Sequence, residues 1–310
     1  MLKVAVIGGG STYTPELING FLARVDTFPL RELWLMDIDP DRLAIVGKFA
    51  QRMAEAKHAP FKIYLTTDRA AAIHGASYVT TQLRVGMMEA RRRDEYLGQR
   101  HGLVGQETTG IGGMAKALRT IPVILEIANE MRRSAPNALL VNFTNPAGLV
   151  TEALQRYAPD IASVGVCNVA LNTKLQFVDR LQKQLNSTIE PARTQLKTLG
   201  LNHLTWHYGF TLDGEDMWSH VIQSFLEELQ SDPEPEWDVR TIASLRMIPN
   251  YYLQYFYYTQ HKLAEQKKWP PSRAEEVMSI EDGLLRQYAE PDRTQPPDDL
   301  MKRGGAYYST

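Results

Sequence analysis

The stretch VAVIGGGSTYTPELI, Val4 to Ile18, decides the fold. Its branched apolar run reads as a buried strand, Gly8 and Gly10 take the first two glycine positions of G-x-G-x-x-G, and Pro15 with Glu16 opens a helix. Glycines at such a turn let a pyrophosphate approach the amino end of the helix. Tyr13 takes the third glycine's place, so the helix is expected to pack less closely on its strand, and two glycines alone would also suit an ordinary turn. The dinucleotide reading gains from ELWLMDID, where Asp37 ends a second strand and can accept hydrogen bonds from an adenosine ribose, favouring NAD over NADP.

Outward from this turn, LKVAVIG, ELWLMDID, FKIYLTTD and ASYVTTQL read as strands, with helices from about Pro15 and Pro40 between the first three. Lys116 to Arg133 has helical periodicity, ALLVNFTNP is a strand with a turn, Ala147 to Tyr157 a helix and ASVGVCN a further strand. The expected fold class is α/β: an N-terminal Rossmann-type parallel sheet, like that of lactate and malate dehydrogenases, with a C-terminal α+β substrate domain. After Asn172 the texture changes, and Asp213-Gly214 is a hairpin signal inside TLGLNHLTWHYGFTLDGEDMW. Residues 1–170 are expected to form the NAD-binding domain and 171–310 a substrate and metal domain.

The 310 residues are 44% hydrophobic, enough to fill cores of this size. Lys and Arg number 34 against 36 Asp and Glu, a formal charge of -2, so nothing in the charge balance points to nucleic acid or an anionic membrane. No apolar run approaches the roughly 20 residues of a membrane span, and the chain enters a strand without a leader pattern, so a cytoplasmic location is expected. The single cysteine, Cys167, excludes an internal disulfide framework.

Gln82 to Gly113 begins where the fourth strand ends, the edge at which open parallel sheets place ligands. Arg84, Arg91, Arg92, Arg93 and Arg100 offer forked donors suited to phosphate, although ARRRDE also fits a solvated helix face. Gln106, Glu107, Thr108 and Thr109 lie among glycines that permit close backbone approach. In VNFTNPAG, Asn142 and Asn145 end the fifth strand, where they could hold a nicotinamide ribose or a substrate hydroxyl, or merely shape a turn before Pro146. Cys167 and His203 could be part of an open metal site completed by substrate oxygens, or a buried small hydrophobe and a structural histidine. His203 and His207 would form a helical H-x-x-x-H zinc pair only if their strand-like surroundings were helical. The aromatic run NYYLQYFYY taken alone reads as core packing.

Together, VIGGGSTYTPEL, LMDID, RVGMMEARRRDE, GLVGQETTGIGG, NFTNPAG, CN, GLNHL, IPNYYLQYFYY, SRAEEV and KRGGAYYS resemble glycoside hydrolase family 4, and most closely its 6-phospho-β-glucosidases. These NAD-dependent enzymes stand apart from the two-carboxylate glycosidases. The resemblance implies that NAD takes a hydride from C3 of the sugar, that the resulting ketone acidifies the C2 proton, and that a base removes it. The aglycone then leaves by elimination, water adds at C1, and the hydride returns to C3. It further implies Mn2+ held by Cys167 and His203, a Lewis acid for the developing enolate, where thiolate and imidazole alone would suggest zinc.

By the same resemblance Tyr252 is the base, with Tyr251 and Tyr255 as fallbacks; a free phenol needs a nearby cation to act so at neutral pH. Arg84 and Arg273 are candidates for the 6-phosphate or neighbouring hydroxyls, and Asn145 and Asn168 for further substrate contacts. Relatives acting on α-linked sugars carry an acidic residue or His where this chain has Asn168, so a β-linkage is implied. The candidate cofactor residues are Gly8, Gly10, Ser11, Thr12, Asp37, Gln106, Glu107, Thr108 and Asn145.

The expected partner is a phosphorylated disaccharide or aryl glycoside, and the expected assembly a homodimer or homotetramer. Relatives usually continue beyond the GGAYYS segment, which implies that closing helices are missing here. Two other readings remain: a lactate or malate dehydrogenase relative that releases oxidised product, and a nucleotide-sensing regulator without chemistry.

Overall fold

In a computed structural model the chain is described from residue 2 to residue 300. The motif KRGGAYYS therefore lies outside the described residues. Six strands form the first sheet: β1 (Leu2–Ile7), β2 (Leu30–Met36), β3 (Lys62–Thr66), β4 (Tyr78–Thr81), β5 (Leu139–Asn142) and β6 (Ser163–Gly165). All pairings are parallel and the order is β3-β2-β1-β4-β5-β6, the doubly wound arrangement of dinucleotide-binding domains. Its helices are α1 (Thr14–Leu22), α2 (Pro40–Ala56), α3 (Arg69–Ile73), α4 (Met87–Arg100), α5 (Gly110–Ser134) and α6 (Ala147–Tyr157).

β1 shows why the sheet is covered on both faces. Val4 to Ile7 are all buried, and because side chains alternate along a strand, Ala5 and Ile7 join one core while Val4 and Val6 join the other. The first core is filled from α5 by Ile124, Ile127 and Met131; the second from α2 by Val46, Phe49 and Met53.

The second part of the chain contains α7 (Asn168–Leu185), β7 (Thr194–Leu201), β8 (Leu204–Leu212), β9 (Glu215–Asp216), α8 (Trp218–Ser231), α9 (Val239–Leu245), β10 (Ile248–Pro249) and α10 (Gln254–Tyr257). Its antiparallel sheet runs β10-β8-β7, with β9 on β8 through the Asp213-Gly214 turn, where φ is 51° and 87°. Phe177 and Leu181 of α7, Phe210 of β8 and Trp218, Val221 and Ile222 of α8 form its separate core.

The division into compact units differs from the boundaries read in the sequence. One unit is Met1–Val166 with His261–Thr310; the other is Cys167–Gln260. After α11 (Thr259–Gln266), α12 (Arg273–Tyr288) returns to the first sheet instead of extending a domain over 171–310. The cause is packing: Leu284, Tyr288 and Leu300 complete the α2 core, and the Tyr288 ring stacks on Phe49 with centroids 4.7 Å apart. Among the described residues no helix is long and apolar enough to cross a membrane.

Candidate active site

In the first unit the glycine turn is held from three sides. Gly8 has φ of 96°, and a Cβ there would lie 2.9 Å from the backbone of Gln82; a Cβ on Gly9 would lie 2.8 Å from Leu35 Cβ. Gly9, in the turn before α1, thus lets that turn lie directly against β2. Tyr13 has ordinary right-handed backbone, φ -83°, at the helix start. The Gln82 amide donates to Gly8 O at 3.1 Å and to Thr14 Oγ1 at 2.8 Å, and Thr14 Oγ1 donates to Gly9 O at 2.8 Å. Sequence reasoning missed Gln82, which acts through backbone shape.

Asp37 sits at the same turn. Its Oδ2 accepts from Gly10 N at 2.8 Å and its Oδ1 from Asp39 N at 3.1 Å, so the carboxylate is oriented before any ribose arrives. A Cβ on Gly10 would meet that oxygen at 2.8 Å. Arg42 donates to Gly10 O at 2.9 Å and to Glu281 Oε2 at 2.9 Å. Thr12 is fully buried, its hydroxyl 3.4 Å from Glu281 Oε1, and Ser11 Oγ accepts from Tyr13 N at 3.2 Å. A turn shaped by glycines and followed by an oriented acid fits a dinucleotide.

The stretch after β4 is largely helical. Of the three consecutive arginines on α4, helical rotation buries one: Arg91 is 5% exposed, while Arg92 and Arg93 pair with Glu89 nearer the surface. Arg100 is exposed. Glu107, at 2% exposure, collects three cations: Arg84 and Lys116 both donate to Oε2, Lys116 at 2.6 Å, and Arg91 lies 3.3 Å from Oε1. Burial alone would raise the Glu107 carboxyl, but Arg84, Arg91 and Lys116 hold it well below the usual carboxylate range. Burial, with Arg84 beside it, lowers Lys116 to about 7 against the pull of Glu107.

Gln106 accepts from Thr109 N at 2.8 Å and from Thr108 Oγ1 at 2.7 Å, gathering the two residues before α5 onto its side chain. Asn142 is fully buried and latches Thr81 and Thr144, a structural role; Asn145 is half-buried. Arg273, the first residue of α12, is 8% exposed and pairs with Glu276 at 2.6 Å. Its Nε and Nη2 are buried without a partner among the described residues. Two orphan guanidinium donors at the amino end of a 16-residue helix suit an anion.

In the second unit the hairpin of β7 and β8 turns on Asn202 and His203, between the paired residues Leu201 and Leu204. His203 has φ of 67°, left-handed backbone uncommon for a side-chain-bearing residue. The turn carries His203 Nε2 to 3.5 Å from Cys167 Sγ, at the residue preceding α7. β10 pairs with β8, and the short 3-10 turn after it, Tyr251–Leu253, brings Tyr252 to the hairpin tip. The His203 and Tyr252 rings stack with centroids 4.0 Å apart; both residues are buried. Tyr251 and Tyr255 flank Tyr252, with centroids 5.8 Å and 5.9 Å from it.

Asn168 is half-buried, its Oδ1 4.0 Å from Cys167 Sγ. Burial pushes the Cys167 thiol up. His207 lies in a strand, where four residues span about 13 Å, which removes the helical pairing with His203. Burial lowers it to about 4, and its Nδ1 is 3.0 Å from Thr198 Oγ1.

Zinc bond lengths of about 2.3 Å to sulfur and about 2.1 Å to nitrogen at a tetrahedral angle place the donors about 3.6 Å apart, so Cys167 and His203 are spaced to share one divalent ion. Among the described residues no group of three His, Cys, Asp or Glu could hold a metal.

Two sequence profiles match this chain: one described as "Family 4 glycosyl hydrolase" over residues 3–183, the other as the C-terminal domain of that family over 198–310. The chain belongs to family 4 of the glycosyl hydrolases. A Bacillus subtilis (strain 168) relative named "Probable 6-phospho-beta-glucosidase" is 42% identical, the match covering 99% of this chain and 71% of the relative. A Thermotoga maritima 6-phospho-beta glucosidase, solved with manganese, NAD+ and glucose-6-phosphate, superposes with TM-score 0.89 and 34% identity over 100% of this chain and 71% of that one. In fold alone the family 4 chain also resembles malate dehydrogenase from Plasmodium falciparum, with TM-score 0.51 and 12% identity over 92% of this chain and 78% of that one.

Proposed function

We propose that this family 4 chain hydrolyses 6-phospho-β-glucosides with NAD and Mn2+ as cofactors. The observation that carries the reading is the second unit's cluster: Cys167 and His203 spaced for one divalent ion, with the Tyr252 phenol stacked on the imidazole. When bound, NAD takes and later returns the C3 hydride of the sugar while Mn2+ polarises the oxygens at C2 and C3.

The protein's own groups do the rest. Tyr252 accepts the proton from C2, and the aglycone then leaves by elimination. Cys167 and His203 hold the ion. Arg273 directs its two orphan donors to the 6-phosphate. Arg84, anchored by Glu107, and Asn145 and Asn168 position the sugar, Asn168 favouring the β-linkage. Gly8, Gly10, Ser11, Thr12 and Asp37 seat the adenosine half of NAD, and Gln106, Glu107, Thr108 and Asn145 its nicotinamide half. The unit built on the parallel sheet is the NAD domain, and Cys167–Gln260 carries the metal and the base. The substrate is a phosphorylated disaccharide or aryl glycoside, and the enzyme works in the cytoplasm as a homodimer or homotetramer.

The test is hydrolysis of a chromogenic 6-phospho-β-glucoside with NAD and Mn2+ supplied or withheld, repeated in heavy water. Activity that needs both, with deuterium at C2 of the released sugar, is the expected result. Hydrolysis without NAD, or sugar unlabelled at C2, rejects the mechanism, and steady accumulation of NADH would indicate a dehydrogenase instead.

A further inference from the structure

Gln266, the last residue of α11, makes two hydrogen bonds to a single residue of another segment. Its Oε1 accepts from Gly105 N at 2.8 Å and its Nε2 donates to Gly105 O at 2.9 Å. The side chain thus supplies both an acceptor and a donor to backbone that lies outside any helix or strand. Its own carbonyl accepts from Gln99 Nε2 at 3.0 Å, which ties it to α4 as well. Gln266 is 8% exposed, so loss of the amide would leave two main-chain groups of Gly105 short of partners in a buried place.

The gripped segment has little room to settle elsewhere. A Cβ on Gly105 would lie 2.1 Å from Glu95 O, one on Gly98 would lie 2.8 Å from Gly105 Cα, and one on Gly112 would lie 2.2 Å from Gln106 O. Backbone is pressed on backbone from α4 and from the start of α5. The residues immediately after Gly105 are Gln106, whose side chain accepts from Thr108 and Thr109, and Glu107, which gathers Arg84, Arg91 and Lys116.

We propose that Gln266 is a positioning residue: by fixing Gly105 it sets the place of the Glu107 carboxylate, and through it the Arg84 guanidinium offered to the ligand. This rests on the reading above that Arg84 and Gln106 to Thr108 serve substrate and cofactor.

The test uses Gln266→Glu and Gln266→Met, with the wild-type enzyme at each pH as reference. A protonated Glu reproduces both the donor and the acceptor of Gln, whereas an ionised one presents only acceptors to the Gly105 carbonyl. The kcat/KM of Gln266→Glu relative to wild type should rise at least about 10-fold between pH 8 and pH 5. Gln266→Met, which leaves both Gly105 groups without the amide at every pH, should lower kcat/KM at least about 5-fold throughout. A flat ratio for the Glu variant, or near-normal kcat/KM for the Met variant, overturns the proposal.

Amide hydrogen exchange over residues 104–109 gives a readout independent of turnover. Protection there should drop in Gln266→Met and recover in Gln266→Glu at low pH; unchanged protection removes the clamp even if the enzyme proves to act on another substrate. A wild-type protein without glycosidase activity but with these exchange changes would reject the functional reading and keep the clamp.

Discussion

The imidazole of His203 lies flat on the phenol of Tyr252, with 4.0 Å between ring centroids and 4° between planes. Pairing of Ile248 with His207 and Pro249 with Trp206 sets this register, and Asn250 Oδ1, accepting from Tyr252 N at 3.0 Å, fixes the turn that presents the ring. The stack requires the ring and the proposed chemistry requires the hydroxyl. Tyr252→Phe should therefore keep the fold and sugar binding while kcat falls about 10²- to 10⁴-fold, and exchange of C2 hydrogen with solvent should fall with it. A Phe variant with near-normal kcat would remove Tyr252 as the base.

Metal dependence should run through the same cluster. Stripping divalent ions with a chelator should abolish turnover, and Mn2+ should restore it in the wild type but not in Cys167→Ala or His203→Ala. Equilibrium dialysis of Mn2+ reads the site without any substrate. Stoichiometric Mn2+ on Cys167→Ala at wild-type affinity would show that the ion sits elsewhere.

Arg273 offers a specificity test. Because its Nε and Nη2 are buried without partners among the described residues, a phosphate is expected to gain charge-assisted bonds there at little reorganisation cost. Arg273→Ala should weaken kcat/KM for the phosphorylated glucoside about 10- to 150-fold, corresponding to about 1.5 to 3 kcal/mol, with little change for the unphosphorylated analogue. Equal losses on both would detach the residue from phosphate recognition.

Lys116 predicts a pH dependence of stability. Three cations share Glu107, and only Lys116 can shed its charge, its folded value being lowered to about 7. An unfolded lysine keeps its proton to about 10.4, so between about pH 7 and 10 the unfolded chain binds more protons and stability rises with pH. The contribution is at most about 1.4 kcal/mol per pH unit. Urea unfolding at pH 7, 8, 9 and 10 should show this rise in the wild type and a shallower one in Lys116→Met. Parallel curves would mean that the lysine is not the titrating group.

The parallel sheet was legible because its signals are local. Apolar runs bounded by glycine and proline, and the acid after β2, can be read within a few residues of each other. The fourteen-residue span of α4 was less visible, since ARRRDE shows charge to solvent and only rotation about the helix decides that Arg91 turns inward. The hairpin at Asn202 and His203 was hidden for another reason: His203 holds a left-handed conformation that its residue type does not announce. The return of the chain to the first sheet could not be read either. An amphipathic helix such as α12 shows that Leu284 and Tyr288 seek a core but not which core receives them.

The sequence by itself determined the doubly wound sheet, the glycine turn with its acid, and family membership, because strand periodicity, turn chemistry and motif spacing are written along the chain. The tertiary structure alone decided which charges neutralise one another around Glu107, that Gln266 holds Gly105, and that Tyr252 rests on His203. Those contacts join residues as much as 161 positions apart. Pairings at such range are set by how helices and strands pack, and local pattern carries no record of it.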